Sequence, residues 1–282
     1  MRVVVGYALR EAVRRRVFLV VLLLTALFLA LYGLANYYIF RDVSSLRVPE
    51  DAHVDARTFA GAFTFGLAMF ATLFLGVVLA VFLTLGAVGG DAERGLLQPL
   101  VVRPLGRGSL IVGRLLAAAA VCAAYVLLVY FAALLITGLI GGWWPDLILW
   151  PGVTLACSVA IVAAVSLFGS VFLSSTANGI ATFMVFGAGL VSGLLGTVGH
   201  AIGSQTISHA ARIAAWVLPF EALYQDALRQ MTSRTSGLTG FLLQLGPFGG
   251  GYTGGWGVRV WAAAYLVLVC AATIAAFARR DL

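Results

Sequence analysis

Six runs of almost unbroken apolar residues divide the chain, over roughly 17–35, 60–88, 115–140, 152–173, 180–198 and 260–278. None shows the alternation of a half-buried strand. Each is close to or beyond the twenty residues that a helix needs to cross about 30 Å of hydrocarbon. None contains Asp, Glu, Lys, Arg or His. The pattern predicts an all-α polytopic membrane protein with six transmembrane helices in one domain spanning 1–282. Arg14, Arg15 and Arg16 before the first run suit a signal peptide. The run is longer than a usual signal core and five more follow, so a retained anchor is expected.

The segments between the runs have patterns of their own. Over 2–16, Val5, Leu9, Ala12 and Val13 share one helical face, and Arg10, Glu11 and Arg14 take the other. This is either an interfacial helix or a plain charged flank. Over 91–107, Asp91 can cap a helix, Leu96, Leu97, Leu100 and Val101 form an apolar stripe, and Arg103–Pro104 ends it. Such a helix either docks into a groove of a soluble partner or lies on the surface as a connector. The segment 174–179 reads as a tight polar turn. Over 199–256, Pro219 can open a helix in which Phe220, Leu223, Tyr224, Ala227, Leu228 and Met231 recur at helical spacing. A loop with seven glycines over 246–257 follows.

Composition narrows the class. Hydrophobic residues make up 62% and charged residues 10% of 282, too few charges to keep a soluble fold of this size from aggregating. All 18 basic residues are Arg. A phosphate-binding loop needs its Lys, as does Schiff-base chemistry, so ATP hydrolysis by this chain alone is not expected. With the N-terminus inside, inner segments carry eleven Arg and four acids, outer segments seven and seven. The short inner loops are the Arg-rich ones, which puts both termini in the cytoplasm. The basic residues are too dispersed for nucleic-acid binding. Cys122, Cys157 and Cys270 fall in separate apolar runs and suggest no disulfide framework.

Glu93-Arg94-Gly95, Leu97, Arg103-Pro104-Leu105-Gly106-Arg107 and Gly113-Arg114 follow one another in the inner loop after run two. Their order and spacing resemble the signature of type-2 ATP-binding-cassette (ABC) exporter permeases. That signature reads Glu-x-Gly-Thr-Leu, then Pro-Val-Ser-Arg, then Gly-Lys. Here Leu96 stands for Thr, Leu105-Gly106 for Val-Ser and Arg114 for Lys, and Pro99 is an added interruption. The ending Phe277-Ala278-Arg279-Arg280-Asp281-Leu282 is similar too.

The resemblance implies a permease without a nucleotide site or cofactor of its own, with ATP and Mg held by a separate ATPase subunit. It implies a homodimer, or a heterodimer with a similar permease, in a bacterial or archaeal cell membrane. It makes Glu93, Arg94, Gly95, Arg103, Pro104 and Arg107 ATPase-coupling residues. It also places spans two and five along a central path, which makes Phe63, Phe65, Met69, Phe70 and Met184 candidates for an apolar route. Outer helices after span five would dip towards the membrane and cap the exit, the alternative being a helix lying flat on the outer interface.

Gly189 and Gly193 form a G-x-x-x-G face with Ser192 and Gly196 at the same spacing. It serves dimerisation, a mobile wall or packing within one subunit. With no charge in any run, the expected cargo is amphiphilic or hydrophobic, and a proton pump or intramembrane metalloprotease is disfavoured. Glu50, Asp51, His53 and Asp55 read as a solvated outer cluster. Neither G-x-S-x-G nor H-E-x-x-H occurs. Two rivals stay open, a membrane-embedded enzyme and an assembly factor or anchor for another complex.

Overall fold

The computed structural model describes residues 16–45, 55–85, 107–233 and 255–279. Most of the 2–16 segment, the chain from 86 to 106 and the chain from 234 to 254 lie outside the described residues. Glu93, Arg94, Gly95, Arg103 and Pro104 are therefore not placed, and Arg107 opens a helix.

The described residues form eight α-helices and no strand: α1 Arg16–Ser45, α2 Ala56–Thr84, α3 Arg107–Gly141, α4 Trp150–Phe172, α5 Ser175–Ala201, α6 Gln205–Val217, α7 Pro219–Met231 and α8 Gly255–Ala278. Six of them, α1 to α5 and α8, are long and apolar enough to cross a membrane. In hydrocarbon every backbone group must be satisfied within the chain, so helices form despite many Gly and β-branched residues. The hydroxyls of Thr25, Thr64, Thr72, Thr84 and Thr137 donate to carbonyls one turn back, which makes them acceptable in apolar spans.

Several ends differ from the expected ones. α1 continues ten residues further and carries Arg41 and Asp42 in its last turns. At about 45 Å it overshoots the hydrocarbon thickness. α2 starts earlier because Asp55 caps it, accepting the N–H groups of Arg57 (3.0 Å) and Thr58 (3.2 Å). Asp55 is thus a helix cap rather than a member of a loose cluster. The Thr58 hydroxyl, ahead of those two backbone donors, holds its carboxyl below the usual range. α8 starts at Gly255, so the end of the glycine-rich loop is helical and Arg259 sits inside the last span.

The expected turn over 174–179 is shorter too. Helix α5 begins at Ser175, and Asn178 is buried at 1% exposure. Its Nδ2 donates to the Ser166 carbonyl at 2.9 Å, and the Thr84 and Ser166 hydroxyls are hydrogen-bonded to each other at 2.7 Å. Three spans are tied together here, at the end of α2. Asn178→Leu is expected to cost about 2 kcal/mol, because it removes this bond and leaves the buried polar partners unpaired. Thermal unfolding of the purified protein checks it.

α4 is the most buried span and α2 the next; α1, α5 and α8 turn most of their surface outwards. α1 runs parallel to α3, joined by Thr25–Tyr125 and Tyr32–Thr137 hydroxyl pairs. Gly76 lets α2 press on Val126 of α3 and Val159 of α4. Trp143, Trp144, Trp150 and Trp256 stand at the end of the bundle opposite the chain from 86 to 106, and Trp216 and Trp261 meet further in.

Candidate functional site

Helices α6 and α7 form a hairpin that re-enters the bundle from the Trp-rich end. α6 turns back along α5: Gly199 faces Ile207 and Ser208, and Gly196 faces Ala211. Ser204 caps it through the Ile207 N–H. Pro219 then starts α7 at the tip, where Phe220 meets Gly189 and Glu221 meets Gly193. Gly189 lies twelve residues before the end of α5, so the tip reaches about 18 Å inwards. α7 climbs back along α4, and the Met231 carbonyl accepts the Asp146 N–H at 3.1 Å.

Twelve of the thirteen α7 residues are buried, polar ones included. This excludes a helix lying flat on the outer interface. The apolar register Phe220, Leu223, Tyr224, Ala227, Leu228 and Met231 is buried as the spacing predicts. The opposite register, Glu221, Gln225, Asp226 and Gln230, is buried as well. The spans themselves supply no acid there, and the hairpin supplies two.

The two acids differ in their surroundings. Asp226 forms a 2.8 Å ion pair with Arg259 of α8 and accepts Gln230 Nε2 at 2.8 Å. Arg259 also lies over the Trp256 ring at 5.7 Å. A second tie to α8 runs from Trp261 Nε1 to the Trp216 carbonyl at 2.8 Å. Glu221 is 3% exposed and, among the described residues, accepts only Gln225 Nε2, at 2.8 Å on Oε1. Its Oε2, the Tyr224 hydroxyl and Gln225 Oε1 have no hydrogen-bond partner among the described residues. Burial pushes the Glu221 carboxyl up to about 8, against the smaller opposing effect of Gln225. Burial, then the Glu221 charge, raises the Tyr224 hydroxyl.

The sequence-predicted path residues divide into three groups. Phe63 and Met184 are exposed and Phe70 is half-buried, on the outward faces of α2 and α5. Phe65 and Met69 are fully buried, with the Phe65 ring 5.4 Å from Tyr130 and 6.1 Å from Trp143. Those two lie in the core of the subunit. Gly189 and Gly193 lie beneath the same chain's hairpin, the within-subunit alternative for this small-residue face. Sequence reading passed over Glu221, Gln225 and Asp226 because one polar face on an amphipathic helix normally faces water. The signal was the adjacent G-x-x-x-G notch, which needs something to fill it.

Among the described residues no group of His, Cys, Asp and Glu could hold a metal ion. Comparison with curated proteins yields no match. The family described as ABC-2 family transporter protein matches residues 3–282. Six apolar spans, an all-helical fold and a match over nearly the whole length agree, and the chain belongs to the ABC-2 transporter family, whose members are membrane subunits of ABC transporters.

Proposed function

We propose that this permease exports an amphiphilic or hydrophobic cargo, driven by ATP hydrolysed in a separate subunit on the cytoplasmic side. Two permease chains would pair across the outward faces of α2 and α5, with one ATPase below each. Phe63, Leu67 and Phe74 on α2 and Met184 and Val191 on α5 form exposed apolar stripes there. Phe74 of the α2 stripe also packs inwards on Phe186 of α5, with ring centroids 6.4 Å apart. Both termini would be cytoplasmic, in keeping with the Arg asymmetry.

The observation that carries this reading is where the coupling segment attaches. The chain from 86 to 106 joins α2 to α3, and Thr84, at its threshold, is bonded through Ser166 to Asn178. A stroke delivered to Glu93, Arg94, Gly95, Arg103, Pro104 and Arg107 would enter the core through α2. Through the Thr84–Ser166–Asn178 tie it would reach α5, the span that carries the hairpin. Packed interiors pass on such a displacement as a switch between discrete arrangements.

The test is a complex of the permease with its co-purifying ATPase in proteoliposomes. Changing Glu93 and Arg94 together to Ala is expected to reduce cargo-stimulated ATP hydrolysis at least tenfold while both spans and hairpin keep their thermal stability. Undiminished coupling in that variant would remove the assignment.

A further inference from the structure

We propose that Glu221, Tyr224 and Gln225 form a binding site for the primary-ammonium head group of an amphiphile, reached past Gly193 of α5. This inference rests on the transport reading and specifies the cargo class. Three acceptor atoms without partners among the described residues lie within five residues of α7: Glu221 Oε2, the Tyr224 hydroxyl and Gln225 Oε1. Their side chains are 3%, 3% and 5% exposed. A protonated primary amine carries three N–H donors and one positive charge, which matches three acceptors and one carboxylate. A quaternary ammonium has no N–H to offer. A hard divalent cation takes six or more oxygens, and three are too few.

The surroundings suit an alkyl chain behind that head. Phe220 stacks on Phe186 at 5.8 Å, and Phe186 meets Phe74 at 6.4 Å. The three rings lead from the buried hairpin tip, where Phe220 is 1% exposed, to the outward face of α2, where Phe74 is 45% exposed. Gly193 is the half-buried position on α5 against which the Glu221 carboxylate rests. At this position α5 presents no side chain to the acid.

A lone carboxylate in such a place must be neutralised, and either a proton or an ammonium can do it. Other ionisable groups stand on the elements packed around it. Arg259 of α8 pairs with Asp226 of α7. Tyr265 of α8 is half-buried, and His200 lies in the last turn of α5. His209 and Arg212 of α6, Arg57 of α2, Cys157 of α4 and Arg229 of α7 are exposed. The empty site holds a proton and the loaded site an ammonium, so loading releases the proton.

The experiment uses the full-length chain in phosphatidylcholine nanodiscs, titrated with dodecylamine in weak buffer. With the carboxyl at about 8, roughly 0.9 proton should be released per amine bound at pH 7 and almost none at pH 9.5. Affinity should rise about tenfold from pH 7 to pH 9. Dodecyltrimethylammonium and sodium should produce neither effect. Glu221→Gln, which keeps the shape of the protonated acid, should abolish proton release and weaken amine binding at least tenfold at pH 9. Adding phosphatidylethanolamine to the disc distinguishes the sources: competition identifies a lipid head group, and its absence a free amine. Amine binding that is independent of pH, or unchanged in Glu221→Gln, or matched by the trimethyl compound or sodium, overturns the proposal. Because no ATPase takes part, that failure would leave the transport reading untouched, and lost ATPase coupling would leave this binding untouched.

Discussion

Gly189→Val is expected to destabilise the protein by about 3 kcal/mol, the upper part of the usual range for overpacking a close-packed core. A Cβ at this position falls on the Phe220 ring, with the nearest ring carbons at van der Waals overlap. Phe220 is 1% exposed and already stacked on Phe186. It can yield only if the hairpin tip withdraws from α5. Withdrawal would strain the Asp226–Arg259 and Trp216–Trp261 ties that hold the hairpin to α8. Gly187, two residues earlier, has nothing within 4 Å of a Cβ, and Gly187→Val is the matched control. It should stay within about 0.5 kcal/mol of the parent, the range of substitutions away from packed features. Thermal scans of both variants at one scan rate, together with tryptophan emission to follow the 5.5 Å Trp216–Trp261 ring contact, check the pair. If the G-x-x-x-G face instead served dimerisation, Gly189→Val would dissociate the subunits and leave that emission unchanged.

The spans were legible in the sequence because the signal is one of length and needs no tertiary information. A run of twenty apolar residues has few alternatives to crossing a bilayer. Their ends were less so. Asp55 lies in a stretch rich in acids, and only the cap geometry separates it from Glu50 and Asp51. Asn178 follows Ser174, Ser175 and Thr176, a composition that reads as a turn. What draws it into the helix is a polar partner 12 residues earlier, Ser166, hidden in an apolar run.

The hairpin was half legible. Pro219 and the register of six apolar residues place α7 to the residue. The fate of its other face depends on what α4 and α5 present, and no local pattern states that. Small residues supply the answer. Gly189 and Gly193 make room for a side chain, and a helix beginning Pro-Phe-Glu fills it. A polar residue facing away from an apolar stripe is therefore no proof of water contact when a glycine notch lies within reach of the same connection.

Glu221 gives the second large effect, a fall in stability as pH rises. Its folded carboxyl keeps its proton up to about 8, against an ordinary value of 4.5. Between those two pH values the native state binds more protons than the unfolded chain, so unfolding becomes easier as pH increases. The contribution is fully present below about pH 4.5 and is lost as pH passes through about 8. Across that window the slope approaches 1.4 kcal/mol per pH unit. Glu221→Gln cannot ionise, yet its amide fills the same volume against Gly193. The difference in thermal midpoint between the two proteins isolates this group from every other titration. The variant should match the parent near pH 5 and exceed it by several degrees at pH 9. The reverse sign, with the variant weaker at high pH, would mean that the carboxylate is stabilised by a cationic partner. Burial would then be protecting a charge instead of suppressing one, and the hairpin would be anchored by an ion pair at its tip as it is at Asp226.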